Sequence, residues 1–394
     1  MPMHSSSSPS VIVSNIDLLR HILLCLPVKS LLVFKSVSKQ WLSLISEPIF
    51  VHNHFLQNRP SIPRLFLQKP SFGTNPEFEF IFLDGKLTES VVPFETLTFV
   101  NDPAGIKIEQ SCNGLLCCSS FKSTSVRRTY YIYNPSTKHY KIIRGSHVKE
   151  RSFLWICSVS IAFNPLKSPH YEAVCIWRND TFNYQIEIYS SKTASWRVSG
   201  CPFPAPNDIF YTSGVFWNGS LHWISLRDSS LYFDIDQELL KTMPMPPIPH
   251  GFGRTRIEYF GECKGHLFLI AIYSSSMTHF DILEMETDYT GWNIKYHVDL
   301  EALTIAYPGM VRDDIVVLGS MSRFEFSVLL VDEDEEESSS LVLQIPNNKV
   351  MSYDLKEMRF KKIHDLSTCL HEKAGSKKYR WFDAYQYKET LASV

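Results

Sequence analysis

Tyr130–Ile143 reads YYIYNPSTKHYKII: one aromatic residue, Tyr133, precedes a polar turn, and a second, Tyr140, follows it seven positions later. The arrangement recurs in IEIYSSKTASWRVS at 186–199, SLYFDIDQELLKTMP at 230–244 and MSYDLKEMRFKKI at 351–363. The corresponding bulky pairs are Tyr189 with Trp196, Phe233 with Leu240, and Tyr353 with Phe360. This constant offset predicts one β-hairpin used repeatedly, with the two bulky side chains meeting across it or packing on one face.

The spacing of these hairpins bears on the architecture. FDILEMETDYTGWNIKY at 280–296 resembles a longer variant, in which Leu283 and Trp292 form the pair. Successive copies begin at Tyr133, Tyr189, Phe233, Leu283 and Tyr353, so four steps cover 220 residues, or about 55 each, close to the length of a propeller blade. Strand-like stretches between them, SIAFNP, GVFWNGSLHWI and GHLFLIAIY, would supply inner strands. The pattern favours an all-β propeller-like domain, with two β-sandwiches as the alternative.

A different periodicity precedes this region, in DLLRHILLCLPVKSLLVFKSVSKQWLSLISEP at 17–48. Apolar residues recur at helical spacing up to Pro27, which suits the first turn of a second helix. A third helix is predicted from about Ser38 to Pro48, and Ser14 with Asp17 would cap the first. About 45 residues cannot bury apolar side chains on several faces, so this three-helix unit is expected to contact a partner or the rest of the chain.

This segment resembles the F-box, a motif that docks onto the Skp-type adaptor of cullin-RING ubiquitin ligases. The family's adaptor-facing and core positions correspond to Leu18, Leu19, Ile22, Leu23, Leu26, Pro27, Val28, Leu31, Leu32, Val37 and Trp41. The resemblance implies that all of these except Leu23 bind the adaptor. Many F-boxes open with Leu-Pro, where this chain has Ser14 and Asn15, and His21 stands where a carboxylate is frequent. The missing apolar pair predicts a weaker adaptor contact than in a typical member.

The rest of the chain is similar to the F-box-associated domain of plant F-box proteins. The similarity rests on SCNGLLCC at 111–118, YNPSTK at 133–138, AFNP at 162–165, GVFWNGSLHWI at 214–224 and the ending AYQYKETLASV. It implies a kelch-like propeller that binds substrates. The predicted organisation is a disordered N-terminus at 1–12, an F-box at 13–55, a linker at 56–64, the propeller-like domain at 65–386 and a C-terminal tail at 387–394.

Composition and net charge indicate a folded protein and argue against general nucleic-acid or membrane binding. The 394 residues are 44% hydrophobic and 13% aromatic, enough for more than one domain with a sizeable core. A net charge of -2 gives no general attraction to nucleic acid or an anionic membrane. We find no run of about 20 apolar residues and no secretory signal, so we expect a cytoplasmic and/or nuclear protein. Nine cysteines in mostly apolar segments are expected to be reduced thiols.

Motifs that carry chemistry are few. The sequence contains no GxSxG, GxxxxGK[ST] or HExxH pattern. Cys117 and Cys118 are adjacent and should point to opposite faces of a strand, while Cys369 with His371 lacks two further ligands nearby. Asp313 and Asp314 resemble the carboxylates of glycoside-cleaving propellers, but a turn before a strand is the simpler interpretation. We therefore predict no catalytic residue, metal or cofactor.

Substrate contacts should lie on loops at one rim of the β domain. The candidates are Pro202–Phe210 and Pro244–Gly253, and the acidic run 332–337 could attract a basic partner. Trp155, Trp177, Trp217 and Trp223 lie in strand-like stretches and are predicted to be blade core.

The leading hypothesis is a non-catalytic substrate receptor of an SCF (Skp-cullin-F-box) ubiquitin ligase. Its partners would be a Skp-family adaptor, a cullin-RING ligase reached through that adaptor, and an unknown target protein. The prolines of NRPSIP, at 58–63, would limit swing between the two units. The alternatives are an F-box scaffold that acts without ubiquitylation and a propeller enzyme acting on a glycan or small metabolite.

Overall fold

The computed structural model describes residues 16–58, 64–69, 75–83, 93–121, 128–144, 155–206, 208–225, 229–247, 256–273, 278–311, 323–333, 339–367 and 379–394. The predictions for residues 1–12, for Ser14 as a cap and for the prolines of NRPSIP lie outside these ranges. Within them, no helix combines the length and the apolar character needed to cross a bilayer.

The N-terminal part, residues 16–58, is called the helical unit below. Its helices are α1 (Ile16–Leu24), α2 (Val28–Phe34), α3 (Lys39–Ser46) and α4 (Pro48–Gln57). In α1 the side chains of Leu19 and Leu23 are buried while Leu18 and Ile22 are exposed, as expected of an amphipathic helix. The Ser38 hydroxyl accepts a hydrogen bond from the backbone N–H of Trp41 and caps α3.

Helix α4 was not predicted from the sequence, because Pro48 was interpreted only as the end of α3. Pro48 instead occupies the first turn of α4, where its missing N–H costs nothing. Nε2 of His54 donates to the Leu26 carbonyl at 2.8 Å, and Nδ2 of Asn58 donates to the Leu24 carbonyl at 2.6 Å. Helix α4 thereby satisfies carbonyl groups that the end of α1 leaves free.

The β domain contains the remaining strands. They are β1 (Arg64–Gln68), β2 (Phe78–Phe82), β3 (Ile106–Cys112), β4 (Leu115–Ser120), β5 (Tyr130–Asn134), β6 (His139–Ile143), β7 (Trp155–Ala162), β8 (Glu172–Arg178), β9 (Asn183–Ser190), β10 (Ser195–Pro204), β11 (Val215–Trp217), β12 (Ser220–Trp223), β13 (Ser230–Asp234), β14 (Leu239–Met243), β15 (Arg256–Cys263), β16 (His266–Ile272), β17 (His279–Met285), β18 (Trp292–Asp299), β19 (Ser327–Asp332), β20 (Ser340–Ile345), β21 (Lys349–Asp354), β22 (Phe360–Asp365) and β23 (Ala384–Tyr387). A short helix, α5 (Glu301–Ala306), and 3-10 turns at Tyr211–Ser213, Pro308–Met310 and Trp381–Asp383 lie in the connections.

In the described part of the chain these strands form six sheets, the blades of a propeller. Blades 1 to 5 are the consecutive antiparallel groups β3–β6, β7–β10, β11–β14, β15–β18 and β19–β22. The closing blade has the order β2-β1-β23, so the two ends of the β domain share one sheet. The first strands of neighbouring blades contact one another around the ring, for example β3 with β7 and β15 with β19. This confirms the propeller and rules out two sandwiches.

The repeated hairpins are confirmed in register. Tyr133 pairs with Tyr140, Tyr189 with Trp196, Phe233 with Leu240, and Tyr353 with Phe360, each across the last two strands of a blade. The turns share a left-handed residue five positions after the first partner: Lys138, Ala194, Glu238 and Met358, with φ of 58°, 52°, 52° and 54°. In three of the turns an Asn or Asp directly after the first partner accepts backbone N–H groups: Asn134, Asp234 and Asp354. The shared turn explains the constant offset.

The fifth hairpin departs from the prediction. Leu283 pairs with Ile294, and Trp292 pairs with Met285, so the predicted pairing of Leu283 with Trp292 is wrong. The register shifts between Ile282 and Leu283, because one strand carries an extra residue there. The shift lies beyond Leu283, so it is not the cause of the wrong pairing: Met285 and Trp292 keep the offset of seven, and Leu283 lies two residues further from the turn than Met285.

The blades bury their apolar side chains between neighbouring sheets. Cys117 packs in the core between blades 1 and 2 while Cys118 packs between blade 1 and the closing blade, which confirms that the two thiols point to opposite faces. Trp217 and Trp223 are buried and Trp177 is partly buried, as predicted. Trp155 is 55% exposed, so its assignment to the core is wrong. It is the first residue of β7, at the rim of blade 2, where no neighbouring blade covers it.

Candidate adaptor-docking surface

The helical unit exposes many large apolar side chains. They are Ile16, Leu18, Ile22, Val33, Val37, Leu42, Ile49 and Leu56. Leu18 and Ile22 lie one helical turn apart on α1, opposite the face that packs inward. A concentration of exposed large apolar side chains on a small unit is typical of a protein-binding site.

The ten residues predicted to bind the adaptor occupy three environments. Leu18, Ile22, Pro27 and Val37 are exposed. Leu26, Leu32 and Trp41 are partly buried against the core of the helical unit. Leu19, Val28 and Leu31 are buried within that core. The first group can contact a partner directly, whereas the last group can act only by holding the helices in place.

Trp41 connects the core with the surface. Its ring meets Phe34 edge to face, with 5.3 Å between ring centroids, and its backbone N–H is held by the Ser38 cap. Arg20 of α1 pairs with Glu47, which precedes α4, at 2.8 Å, and this pair fixes the relation of the first and last helices. His21 lies on the exposed side of α1. The surface side chains are therefore presented by helices that share one apolar core.

The chain's C-terminal segment, residues 388–394, joins the helical unit to the propeller. Leu391 is only 5% exposed and packs in the same apolar cluster as Leu19, Leu23 and Leu31. On the other side, Nδ2 of buried Asn134 donates to the carbonyls of Thr390 and Ala392, at 3.2 and 2.7 Å. The segment is thus held by blade 1 while its leucine completes the helical core.

Charged and polar contacts support this junction. Glu389 receives Arg64 of β1 at 2.9 Å and Lys29 of α2 at 3.7 Å. His52 of α4 donates from Nδ1 to the Pro165 carbonyl, at 3.2 Å. Gly114, at φ 87°, allows the close approach, because a Cβ there would lie 2.7 Å from the Lys388 carbonyl oxygen. The helical unit therefore sits on one defined face of the propeller.

We call this face the helix face and the opposite one the distal face. The helix face carries the turns between the first and second and between the third and fourth strands of each blade, including Pro165 and the turn after Asn134. Because the strands are antiparallel, the connections between blades must leave from the distal face. Pro202–Phe210 and Pro244–Gly253 are such connections, so they start at the end of the propeller away from the helical unit.

Parts of these connections lie outside the described residues, namely 207 and 248–253. The same holds for Asp313, Asp314, Cys369, His371 and residues 334–337 of the acidic run. Among described residues of the distal face, Trp155 is exposed and stands opposite Arg178 in register. The Arg178 guanidinium lies 4.6 Å from the ring centre of Phe182, itself 53% exposed. Exposed Trp and Arg side chains are frequent anchors of protein interfaces.

The central channel offers little chemistry. It contains a cavity of about 110 Å³ lined by first strands and by β23, with Glu109, Gln110, Glu262 and Lys388 in its wall. Burial raises the pKa of the Cys112 thiol, also in this wall, to about 12, so the thiol is protonated and a poor nucleophile. No cluster of three or more metal-ligating side chains occurs in the described ranges.

Sequence reasoning missed the residues that orient the two units. Leu391, Asn134 and His52 carry the junction, yet none belongs to a helix or strand pattern that signals a long-range contact. The only signal was the ending AYQYKETLASV, which supported the resemblance without indicating a role. A leucine in a short irregular segment does not by itself indicate such a contact, so the sequence predicts only a C-terminal tail at 387–394.

Comparisons with known proteins agree with this architecture. The model of the F-box domain family matches residues 15–53, and the model of the family described as F-box associated beta propeller domain matches residues 79–293. The Arabidopsis thaliana "F-box protein At5g07610" is 34% identical over 99% of this chain and 94% of its own length. The Arabidopsis "F-box protein At5g49610" and "Putative F-box/kelch-repeat protein At1g13200" are each 27% identical, over 75% and 58% of this chain and 81% and 59% of their own lengths. The chain therefore belongs to the family of F-box proteins that carry an F-box-associated β-propeller domain.

Proposed function

We propose that this protein is the non-catalytic substrate-recognition subunit of an SCF ubiquitin ligase. The helical unit would bind the Skp-type adaptor, and the propeller would bind a target protein and direct its ubiquitylation and degradation. The observation that carries the proposal is the exposed apolar surface of the helical unit, which the propeller leaves uncovered. The described cysteines are all free thiols, which suits a reducing cytoplasmic or nuclear site of action.

The proposed mechanism is positional. A target bound to the propeller and an adaptor bound to the helical unit are brought into one assembly, so ubiquitin transfer becomes effectively intramolecular. The gain depends on how firmly the two units are held relative to each other. Leu391, Glu389 and His52 provide this rigidity by contacts that do not involve the linker.

The distal face is the best candidate for target binding, because the helical unit covers part of the opposite face. Trp155, Arg178 and Phe182 form a described aromatic and cationic group there. The candidate loops Pro202–Phe210 and Pro244–Gly253 leave from the same face. In this arrangement the target and the adaptor occupy opposite ends of the receptor.

The test is co-purification of the full chain with a Skp-type adaptor. We expect the double substitution Leu18→Glu with Ile22→Glu to weaken the complex by about 100-fold or more, because two buried apolar contacts of about 1.5–3 kcal/mol each are lost. Ile305→Glu is the matched control, since Ile305 is 72% exposed on α5 of the propeller. It should leave adaptor binding unchanged.

Unchanged adaptor binding in the double variant would refute the proposed docking surface. If adaptor binding is lost but the abundance of proximity-labelled target proteins stays constant with the proteasome active, the protein acts as a scaffold without ubiquitylation. Loss of labelled targets on Trp155→Ala, with adaptor binding retained, would support target binding at the distal face.

A further inference from the structure

A cavity of about 340 Å³ lies between the helical unit and the helix face of the propeller. Its volume falls in the range of sites that bind small organic molecules. The helical wall includes Lys35, Val51 and His52, and the propeller wall includes His139, Phe163 and Leu166. Both units therefore contribute to the wall of this cavity.

The charge in the cavity wall is one-sided. The charged residues that line it are Lys35 and Lys167, and none of the described residues in the wall is Asp or Glu. Lys167 is neutralised by an ion pair with Asp236. Lys35 is half-buried and makes no ion pair with any described residue. Burial lowers the pKa of Lys35, because its ammonium group loses hydration without gaining a counter-ion.

The remainder of the wall is largely apolar. Val51 and Leu166 contribute accessible hydrocarbon surface, and Pro48 and Pro169 add rigid apolar faces. Thr137 also lines the cavity, and its buried hydroxyl has no hydrogen-bond partner within the described ranges. An acceptor atom on a bound molecule would satisfy this group.

We propose that this cavity binds a small organic anion, with its acidic group at Lys35 and its apolar body against Val51 and Leu166. An inorganic anion would satisfy Lys35 but would leave the hydrocarbon wall uncovered. A neutral apolar molecule would cover the wall but leave the ammonium unpaired. Since the walls come from both units, an occupied cavity would also hold the helical unit against the propeller.

The test is calorimetric titration of the full chain with three probes: phenylbutyrate, its neutral analogue phenylbutyramide, and inorganic phosphate. We expect phenylbutyrate to bind at least about tenfold more tightly than either of the others. Lys35→Met should weaken phenylbutyrate binding by about tenfold and Lys35→Arg should restore it. Lys39→Met is the control, because Lys39 is exposed on α3 and does not line the cavity.

A second measurement is independent of the lysine. Leu166→Trp, on the propeller side, should fill the cavity and abolish phenylbutyrate binding. In the parent chain, phenylbutyrate should slow hydrogen exchange in α4 and in residues 388–394. Equal affinity for the acid and the amide, equal affinity for phosphate, or no binding of phenylbutyrate at about 10 mM would each overturn the proposal.

Discussion

The helical unit leaves many of its large apolar side chains exposed, whereas the propeller buries most of its own. Of the seventeen large apolar residues that are exposed in the described ranges, eight lie within residues 16–58, and the other nine are scattered over the whole β domain. The propeller closes on itself through β23, so every blade has a neighbour on each side. The helical unit has no second unit of this kind packed on its outer side within the described residues.

This difference shows what each part depends on. A propeller blade is completed by the blades beside it, all from the same chain. Leu391, from the C-terminal segment, completes the apolar core of the helical unit on the side that faces the propeller. On the outer side, Leu18, Ile22 and Val37 remain exposed. An element that is too small to bury its own surface is completed by whatever packs against it. The following predictions test whether the two sides of the helical unit differ as this comparison requires.

The largest effect is expected on the inner side of α1. Leu23 is 1% exposed, so Leu23→Ala should reduce the stability of the helical unit by about 2–5 kcal/mol through lost burial and the cavity left behind. Ile22→Ala, one position away on the exposed face, should change it by less than about 0.5 kcal/mol. Native-state hydrogen exchange of α1 to α4 measures both, and comparable losses would contradict the division into inner and outer faces.

The junction should show the next largest effect. Leu391→Asp removes an apolar contact worth about 1.5–3 kcal/mol from the helical core and introduces a charge there. We expect faster hydrogen exchange throughout α1 to α4, with the blades unaffected. Ser393→Asp is the matched control, because Ser393 is exposed two positions further along. If both variants behave like the parent chain, the C-terminal segment does not hold the units together.

The sequence predicted well what depends on neighbours along the chain. The hairpins could be predicted because residues within each turn determine its conformation. Asn134 and Asp354, for example, accept backbone N–H groups two or three positions further along the chain. The apolar surface of α1 followed from its periodicity. The role of Leu391 and the contact of His54 with Leu26 could not be predicted, because both depend on partners far away in sequence. The exposure of Trp155 likewise depends on where the neighbouring blade ends.

A pH-dependent effect is expected between blades 3 and 4. His222 is fully buried, donates from Nδ1 to the Val215 carbonyl at 3.2 Å and meets the Tyr289 hydroxyl at Nε2, 2.9 Å away. Burial lowers its pKa from the usual 6.5 to about 4. The unfolded chain therefore binds a proton first as the pH falls, and stability present above pH 6.5 is lost progressively down to about pH 4.

The loss from this single group should be about 2 kcal/mol between pH 7 and pH 5. His222→Gln keeps a donor and an acceptor but does not titrate, so the unfolding free energy of the propeller should depend less on pH in that variant. Burial also lowers the pKa of His54, which gives the helical unit a loss of the same sign. An unchanged pH profile in His222→Gln would show that His222 does not carry the propeller's acid sensitivity.

The smallest effect concerns the repeated hairpins. Tyr189 and Trp196 are paired across β9 and β10 with 5.5 Å between ring centroids, so a double-mutant cycle with alanine should give a coupling of about 0.5–1.5 kcal/mol. Leu283 and Trp292 of blade 4 are diagonal neighbours, because Leu283 faces Ile294 and Trp292 faces Met285, so their coupling should be smaller than that of Tyr189 with Trp196. The measurement is chemical denaturation of the four variants in each cycle. Equal coupling in the two pairs would contradict this prediction, because directly opposed side chains approach more closely than diagonal neighbours do.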